Sequence, residues 1–413
     1  NRPDALGVQG IARDLAARGL GTLKAHDDKP IKASFVSDIK VSIDADTLDG
    51  CPVFCGRVIK DVKNGPSPAW LQKALQGVGM RPISFLVDVT NFFTIDRNRP
   101  LHVFDVDKIV GNLRVHRALG SENIVALDDK EYTLERGQMV ISDDNGVESI
   151  AGIIGGLATG CTDETVNVFV EAAFWDPIQI AYAGRALKIN SDARYRFERG
   201  IDPEFTPVGL DLAVALILEH AGGEVSEMIQ VGEIPDTSRA YKLDTDRVQS
   251  LVGMEIAGST QRETLTALGF VLEGDMANVP SWRPDVTGEA DLVEEVVRIA
   301  SLTKLVGKPM SRAQAGIPKP VLNVQQSREH MARRTIASLG YNECVSYSFI
   351  DEPSAKVFGG GFDETRLSNP ISSEMSHMRP SLLPGLLQAA ARNQARGIMD
   401  MALFEVGPVW HGG

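Results

Sequence analysis

The chain has 413 residues, of which 43% are hydrophobic and 23% are charged. This length favours two to four domains, and the composition is that of a globular protein with no apolar run of the roughly 18 residues that would span a membrane. The net charge of −13 argues against a protein that coats nucleic acid non-specifically, although a local basic face remains compatible with RNA binding.

The termini and the cysteines indicate the cellular context. The chain starts at Asn1 rather than Met and shows no secretory signal, so both ends are expected to be cut from a longer protein. The cysteines lack the second pair or the nearby histidines of a zinc site, and we interpret them as reduced thiols of a cytoplasmic protein. They are Cys51, Cys55, Cys161 and Cys344.

The first predicted element is a helix with Asp4 as its N-cap. Its apolar face is formed by Val8, Ile11, Ala12 and Leu15. Residues 23–40 are polar around Pro30 and are predicted to be a linker.

Residues 41–235 form one long block of predicted strands and helices, which indicates an α+β or mixed α/β domain. Apolar runs predict strands at 53–58, 114–118, 124–127, 139–142 and 166–170. Helical spacing predicts one helix after Pro68 and others at 83–95 and 207–220.

The rest of the chain divides into a small and a larger predicted module. Residues 236–307 combine short helices with a β piece, a pattern typical of a winged-helix-like or similar α+β module. Residues 308–320 contain three prolines and are predicted to be a linker. Residues 321–413 are predicted to hold helices at 325–339 and within 381–396, and strands at 344–350 and 401–406.

Two residues stand out as candidates for chemistry. Glu171 ends a strongly apolar strand, where a carboxylate is costly unless it has a partner, so it marks either a functional site or a structural ion pair. His102 follows Pro100 and Leu101 closely and, taken alone, is more typical of a partly buried structural histidine. The glycine-rich stretch at 150–160 could bring backbone near a ligand or simply form a tight turn, and it contains no P-loop or dinucleotide fingerprint.

A short basic stretch and a short acidic stretch each allow two interpretations. Between residues 181 and 200 five basic and two acidic side chains either form an RNA-binding face or a solvated loop with internal ion pairs. The basic residues are Arg185, Lys188, Arg194, Arg196 and Arg199. The carboxylates at 285–295 either bind a hard cation such as magnesium or form an acidic helix N-terminus, and they repel one another unless a positive group lies among them. They are Asp285, Asp291, Glu294 and Glu295.

Taken together and in order, these stretches resemble the β subunits of bacterial phenylalanyl-tRNA synthetases. The opening NRPDALGVQGIARDLAA is similar to the end of that subunit's first domain, here residues 1–22. RPISFLVDVTNFF, RPLHVFD, AGIIGG, VEAAFWDP and SDARYRFERGID resemble its editing module, which implies residues 41–235. SWRPDVTGEADLVEEVVRI resembles the small module, and RPSLLPGLLQAAARNQ with LFEVG resembles an incomplete class II synthetase-like α/β domain that is not catalytic.

The resemblance implies roles for particular residues. His102 and Glu171 would act in catalysis within the editing site. The pocket around them would comprise Thr90, Asn91, Ala151, Gly152, Ser191 and Ala193. Contacts with tRNA would come from Arg185, Arg194 and Arg196. A magnesium ion shared with the α subunit would be held by Asp285, Asp291, Glu294 and Glu295.

The function implied is that of a cytoplasmic (αβ)₂ enzyme in which the α subunit binds ATP and phenylalanine and charges tRNA(Phe). The β subunit would hydrolyse wrongly formed Tyr-tRNA(Phe), with Glu171 contacting the tyrosine hydroxyl and His102 positioning the ester or the attacking water. No serine or cysteine has an evident base partner, which favours direct attack by water over a covalent intermediate. The alternative is a non-enzymatic RNA-binding protein or a scaffold with a decayed editing site.

Overall fold

The computed structural model describes residues 2–24, 31–311 and 321–412. The chain forms two compact units, Asn1–Lys308 and Pro309–Gly413. The predicted segments 1–22, 41–235 and 236–307 all lie in the first unit. Among the described helices, none has the length and apolar character needed to cross a membrane.

The chain begins with a short 3₁₀ turn, Pro3–Leu6, followed by α1, Val8–Ala17. Asp4 was predicted to be the N-cap of a single helix, but it lies in the 3₁₀ turn and α1 begins after Gly7. The Asp4 carboxylate accepts a hydrogen bond from Arg2 at 2.6 Å instead of capping backbone N–H groups. Half of the surface of Val8, Ile11 and Leu15 is exposed, so the apolar face of α1 is only partly covered.

Two five-stranded sheets form the largest part of the first unit. The first sheet has the order β1-β4-β7-β8-β9, and the second has the order β11-β2-β10-β3 with β12 also paired to β2. A separate hairpin joins β5 to β6. The strands are β1 Val41–Ile43, β2 Val53–Lys60, β3 His102–Asp105, β4 Leu113–Arg117, β5 Asn123–Val125, β6 Glu131–Thr133, β7 Met139–Ser142, β8 Val147–Ile150, β9 Ile154–Gly155, β10 Val168–Phe174, β11 Glu224–Val225 and β12 Ile229–Gly232.

Five helices accompany these sheets: α2 Ala69–Gly77, α3 Phe85–Arg97, α4 Pro177–Leu187, α5 Asp192–Phe197 and α6 Phe205–Ala221. Side chains alternate between the two faces of a strand. Along β10, Val170 packs in a core with residues of α2, α3 and α6, whereas Phe169 and Ala173 pack in a second core with residues of the first sheet. The second sheet is therefore a middle layer, and odd-numbered residues of β10 point toward the first sheet.

The second half of the predicted linker at 23–40 packs against this domain. Phe35 forms a parallel bridge with Ser226, and the Ser34 amide donates to the Val225 carbonyl at 2.8 Å. Residues 31–40 are thus held against the edge of the second sheet. Residues 25–30 lie outside the described part of the chain.

The small module pairs a three-stranded antiparallel sheet, ordered β13-β15-β14, with three helices. Its elements are β13 Ala240–Lys242, α7 Asp246–Val252, α8 Gly258–Ala267, β14 Val271–Glu273, β15 Met276–Asn278 and α9 Glu289–Ala300. Ala17 of α1 packs against its core, and Arg298 of α9 pairs with Asp14 of α1 at 2.7 Å. These contacts fix α1 to the small module. Its winged-helix-like character remains a prediction.

The second unit is built from α10 Val324–Ser338, β16 Asn342–Glu343, β17 Phe349–Ile350, α11 Glu352–Val357, β18 His377–Met378, α12 Leu383–Gln394 and β19 Leu403–Phe404. The predicted strand at 344–350 is wrong for residues 344–348, which are irregular between β16 and β17. The reason is local: the Ser346 amide and hydroxyl bond to the Glu405 carboxylate at 3.3 and 2.5 Å rather than to a neighbouring strand. Of the predicted linker at 308–320, residues 312–320 lie outside the described residues.

Candidate functional site

Glu171 and His102 lie directly opposite each other on neighbouring strands. Antiparallel pairing of β10 with β3 puts the two residues in register. Both side chains point toward the first sheet, because Glu171 shares a face of β10 with Phe169, and His102 shares a face of β3 with Phe104. The His102 ring packs edge-on against Phe104, with ring centroids 4.4 Å apart.

A small cavity of about 60 Å³ opens between this pair and the first sheet. Its wall consists of Pro100, Leu101, His102, Ser149, Gly152, Ile153, Ile154, Gly155, Glu171, Trp175, Ala193 and Phe197. The predicted glycine-rich stretch therefore contributes one side of the cavity through the turn from β8 to β9. A volume of this size accommodates a few water molecules.

Two titratable side chains in this cavity each have a buried polar atom without a hydrogen-bond partner among the described residues. Both Glu171 Oε2 and His102 Nε2 are buried and unpaired. Burial raises the pKa of Glu171 from 4.5 to about 8, with a smaller opposing effect from the Arg99 charge. Burial lowers the pKa of His102 from 6.5 to about 4. At neutral pH the pair is therefore mainly uncharged, and it presents hydrogen-bonding groups to whatever enters.

Two glycines make room for this arrangement. A Cβ on Gly155 would lie 2.6 Å from His102 Nε2, which is well inside contact distance. Gly152 has φ +66°, and a Cβ there would lie 2.8 Å from Trp175 Cδ1. Only glycine fits both positions without displacing a wall of the cavity.

The remaining predicted pocket residues divide into two groups. Ala193 lines the cavity, and Ser191 supports it by donating its hydroxyl to the Ile153 carbonyl at 2.6 Å while capping α5. Ala151 is buried next to the lining residue Gly152. Thr90 and Asn91 are outside the residues that line the cavity, and the Thr90 hydroxyl donates to the Val87 carbonyl within α3.

Three family models match successive parts of the chain. They are the B3/4 domain at residues 50–222, the tRNA synthetase B5 domain at residues 241–301, and the phenylalanyl tRNA synthetase beta chain CLM domain at residues 309–413. The chain is also 70% identical over 413 residues to the phenylalanine–tRNA ligase beta subunit of Ruegeria pomeroyi. The chain belongs to the phenylalanine–tRNA ligase β-subunit family.

Two further β subunits of this family are similar to the chain over its whole length. The chain is 65% identical to the protein of the same name from Cereibacter sphaeroides and 50% identical to that from Rhodopseudomonas palustris, in each case over the whole chain. It spans about half the length of these relatives, namely 52%, 51% and 51%. A solved N-terminal fragment of the phenylalanyl-tRNA synthetase β subunit from Pyrococcus horikoshii matches 73% of this chain and 84% of its own at 19% identity, but its TM-score of 0.37 is too low to support an argument.

The arginines expected to contact tRNA occupy different environments in this β-subunit chain. Arg194 is buried and pairs with Glu198 at 3.0 Å, and Arg196 is buried and pairs with Asp192 at 2.8 Å. Arg185 is exposed and lies over the Tyr182 ring. The guanidinium groups of Arg194 and Arg196 are therefore engaged inside the fold, whereas Arg185 lies at the surface. Contact of these three arginines with tRNA remains a prediction.

Arginine side chains lie among the acidic residues that were expected to bind magnesium. Arg283 pairs with Asp285 at 2.7 Å and with Glu295 at 2.5 Å, and Arg298 also pairs with Glu295 at 2.5 Å. Burial favours the neutral form of Glu295, but hydrogen bonds from Arg298 and Arg283 outweigh it and bring its pKa to about 2. Asp291 instead accepts a hydrogen bond from the Thr287 amide at 2.7 Å.

These four carboxylates are not assembled into a metal site here. Within residues 2–24, 31–311 and 321–412, no group of three or more histidine, cysteine or acidic side chains is arranged to hold a metal ion. The guanidinium groups of Arg283 and Arg298 relieve the repulsion anticipated from the sequence for two of the four carboxylates, Asp285 and Glu295. Glu294, the fourth predicted ligand, is exposed. A magnesium site shared with another subunit remains a prediction.

Sequence reasoning overlooked Arg99 and Trp175. Arg99 is almost fully buried, donates to the Ala173 carbonyl of β10 at 2.6 Å and to the Thr206 hydroxyl at 3.1 Å, and forms no ion pair among the described residues. Burial lowers its pKa to about 10. Trp175 is buried in the cavity wall. The signal available was the arginine in RNRPLHVFD, directly before Pro100 and the strand of His102.

Proposed function

We propose that the Glu171–His102 cavity hydrolyses tyrosine wrongly attached to tRNA(Phe). It would do so as part of a ligase in which an α subunit binds ATP and magnesium and attaches phenylalanine to tRNA(Phe). The observation that carries the proposal is the buried pair of unpaired polar atoms, Glu171 Oε2 and His102 Nε2, in a cavity made by the segment that matches the B3/4 domain. The (αβ)₂ assembly and a cytoplasmic location belong to the same proposal.

Tyrosine differs from phenylalanine by one hydroxyl. The apolar amino-acid pocket of a synthetase discriminates against a substrate with an added hydroxyl only on the order of 10²-fold. A second site can reverse the preference if it contains a polar group that stays unpaired when phenylalanine enters. Glu171 is such a group, because Oε2 is buried and lacks a partner. A tyrosine hydroxyl that pairs with it removes a cost of roughly 1–3 kcal/mol.

His102 is suited to holding the attacking water. Its lowered pKa keeps the ring neutral, so one ring nitrogen can accept a hydrogen bond while the other donates. The water oxygen would attack the ester carbonyl carbon, the bond from that carbon to the ribose oxygen would break, and the proton lost by the water would go to the ribose oxygen. The Ser191 hydroxyl is already donated to the Ile153 carbonyl, so it is not available as a nucleophile.

The cavity must widen before an amino-acid side chain can enter, since its volume of about 60 Å³ suits only a few waters. Gly152 and Gly155 lie on the side formed by the β8–β9 turn. We infer that this turn moves outward when the aminoacyl group binds. The glycines at these positions allow the backbone to change without losing side-chain contacts.

The test is a deacylation time course with Tyr-tRNA(Phe) and Phe-tRNA(Phe), comparing Glu171→Gln with the unchanged protein bound to its α partner. Loss of the buried hydrogen bond between the Glu171 carboxyl and the tyrosine hydroxyl predicts a roughly tenfold to hundredfold slower release of tyrosine, with little change for phenylalanine. Glu148→Gln is the matched control, because Glu148 is also a buried glutamate with an unpaired oxygen but lies outside the cavity lining.

Two outcomes would contradict the proposal at different points. Equal loss of both activities in Glu171→Gln would show that Glu171 does not recognise the hydroxyl. No release of tyrosine by the unchanged protein would favour the alternative, a subunit that binds RNA or serves as a scaffold without editing.

A further inference from the structure

A second cavity in the first unit has a volume of about 320 Å³ and is separate from the Glu171–His102 cavity. It lies where α1, the end of α3 and the start of α6 meet the loop before α9. This volume is in the range of sites that bind small molecules and far exceeds the share of one water molecule. Neither Glu171 nor His102 lines it, although Arg99 and Asp202 in its wall belong to stretches that resemble the editing module.

Hydrogen-bond donors without acceptors face one part of this cavity. Arg13 forms no hydrogen bond with the described residues. Its nearest carboxylate is Asp4 at 3.8 Å, and its guanidinium stacks on the Trp282 ring at 4.3 Å. Trp282 Nε1 and Arg99 Nε are buried donors that also lack partners within the described part of the chain. Burial lowers the pKa of Arg13 and outweighs the opposing effect of the Asp4, Asp202 and Asp14 carboxylates.

Asn98 provides a hydrogen-bond acceptor in the same cavity. Asn98 is only 8% exposed and lines the cavity, and none of the residues that the structure describes donates to its buried Oδ1. Asp202 lines the same cavity, and burial raises the pKa of its carboxyl despite a hydrogen bond from Ser281. An acceptor and a carboxyl in one cavity are suited to a ligand that carries N–H donors and positive charge.

The other carboxylates that face the cavity are already paired. Asp4 accepts from Arg2 at 2.6 Å, and Glu204 accepts from the Thr237 hydroxyl at 2.7 Å. They balance the charge of the site without satisfying Arg13. Phe205 and Val208 add apolar surface to the lining.

We propose that this cavity binds a free zwitterionic α-amino acid with an apolar side chain. The ligand carboxylate would pair with Arg13 and accept from Trp282 Nε1, and the ammonium group would donate to Asn98 Oδ1 beside Asp202. The side chain would lie against Phe205 and Val208. This site is independent of the proposed editing reaction and uses none of the residues assigned to it.

The experiment is calorimetric titration of the 413-residue chain with three probes: L-phenylalanine, 3-phenylpropionate, which lacks the ammonium, and phenethylamine, which lacks the carboxylate. We expect saturable binding of L-phenylalanine and binding of the other two that is at least about tenfold weaker, since each loses a charge-assisted interaction. Glu171→Gln should bind L-phenylalanine unchanged, which separates this cavity from the editing cavity.

Two variants locate the binding. Arg13→Gln should weaken L-phenylalanine about tenfold or more and leave phenethylamine unaffected. Asn98→Gly should also weaken the binding of L-phenylalanine. Glycine suits this position because Asn98 has φ +54°, so this variant should fold even if Arg13→Gln does not. Arg185→Gln is the control, because Arg185 is an exposed arginine outside the cavity, and its replacement should leave the binding of L-phenylalanine unchanged.

The proposal is overturned by any of three results. Binding of 3-phenylpropionate as tight as that of L-phenylalanine would identify a simple anion site. Unchanged affinity in both Arg13→Gln and Asn98→Gly would place the ligand elsewhere. Absence of binding by all three probes would mean that the cavity holds only water.

Discussion

Replacing Glu171 with glutamine should remove a large part of the dependence of stability on pH. Glu171 titrates at pH 4.5 in a solvated chain but has a pKa of about 8 in the fold, because burial disfavours its charge. Between these values the unfolded chain releases a proton that the folded chain retains. The contribution of Glu171 to the free energy of unfolding is therefore fully present below pH 4.5 and is lost as pH rises through about 8.

The size of the effect follows from the same two pKa values. Each pKa unit corresponds to about 1.4 kcal/mol, so the free energy of unfolding should fall by on the order of 5 kcal/mol across this range relative to a residue that does not titrate. Glutamine does not titrate. The free energy of unfolding of Glu171→Gln minus that of the unchanged protein should therefore rise steadily with pH.

Urea unfolding of the first unit, followed by circular dichroism at several pH values between about 5 and 8, measures this difference. Glu171→Leu is a second variant without a carboxyl, and it should show the same slope whatever its absolute stability. A difference that stays constant with pH in both variants would refute the reasoning. It would mean that Glu171 is already ionised in the fold, with Arg99 as its counter-charge.

Three further outcomes are expected. Gly155→Ala should abolish tyrosine release and lower the free energy of unfolding by about 1–3 kcal/mol, because the added Cβ would crowd His102. Gly65→Ala is the control: nothing lies within 4 Å of a Cβ added there, so deacylation should be unchanged. Because burial lowers the pKa of His102, this residue contributes to the free energy of unfolding above pH 6.5, and the contribution is lost as pH falls toward about 4. His102→Asn should remove this pH dependence, and thermal unfolding across that pH range measures it. Arg283→Met should cost about 3–5 kcal/mol in urea unfolding by leaving Glu295 partly uncompensated in the interior, and a cost near zero would show that Arg298 suffices.

Local sequence patterns predicted many of the helices and strands and singled out Glu171, whereas the expectation for His102 came only from the family resemblance. The apolar run that ends at Glu171 predicted a buried strand, and the cost of a carboxylate there singled out Glu171 before any contact was known. β10, Val168–Phe174, extends that prediction by four residues beyond Val170. The strand at 344–350 was partly wrong because the Glu405 side chain, distant in sequence, captures the Ser346 backbone.

The tertiary structure alone decided which charged residues are available for chemistry. A run of arginines has the same composition whether it faces solvent or the interior, and only packing of α5 showed that Arg194 and Arg196 are buried in ion pairs. Likewise, the carboxylates Asp285 and Glu295 are neutralised by Arg283, a pairing that depends on the turn before α9. Periodicity and burial cost are properties of neighbouring residues, so the sequence carries them directly. Cavities and ion-pair partners depend on contacts between segments far apart in the chain, and only the folded molecule fixes them.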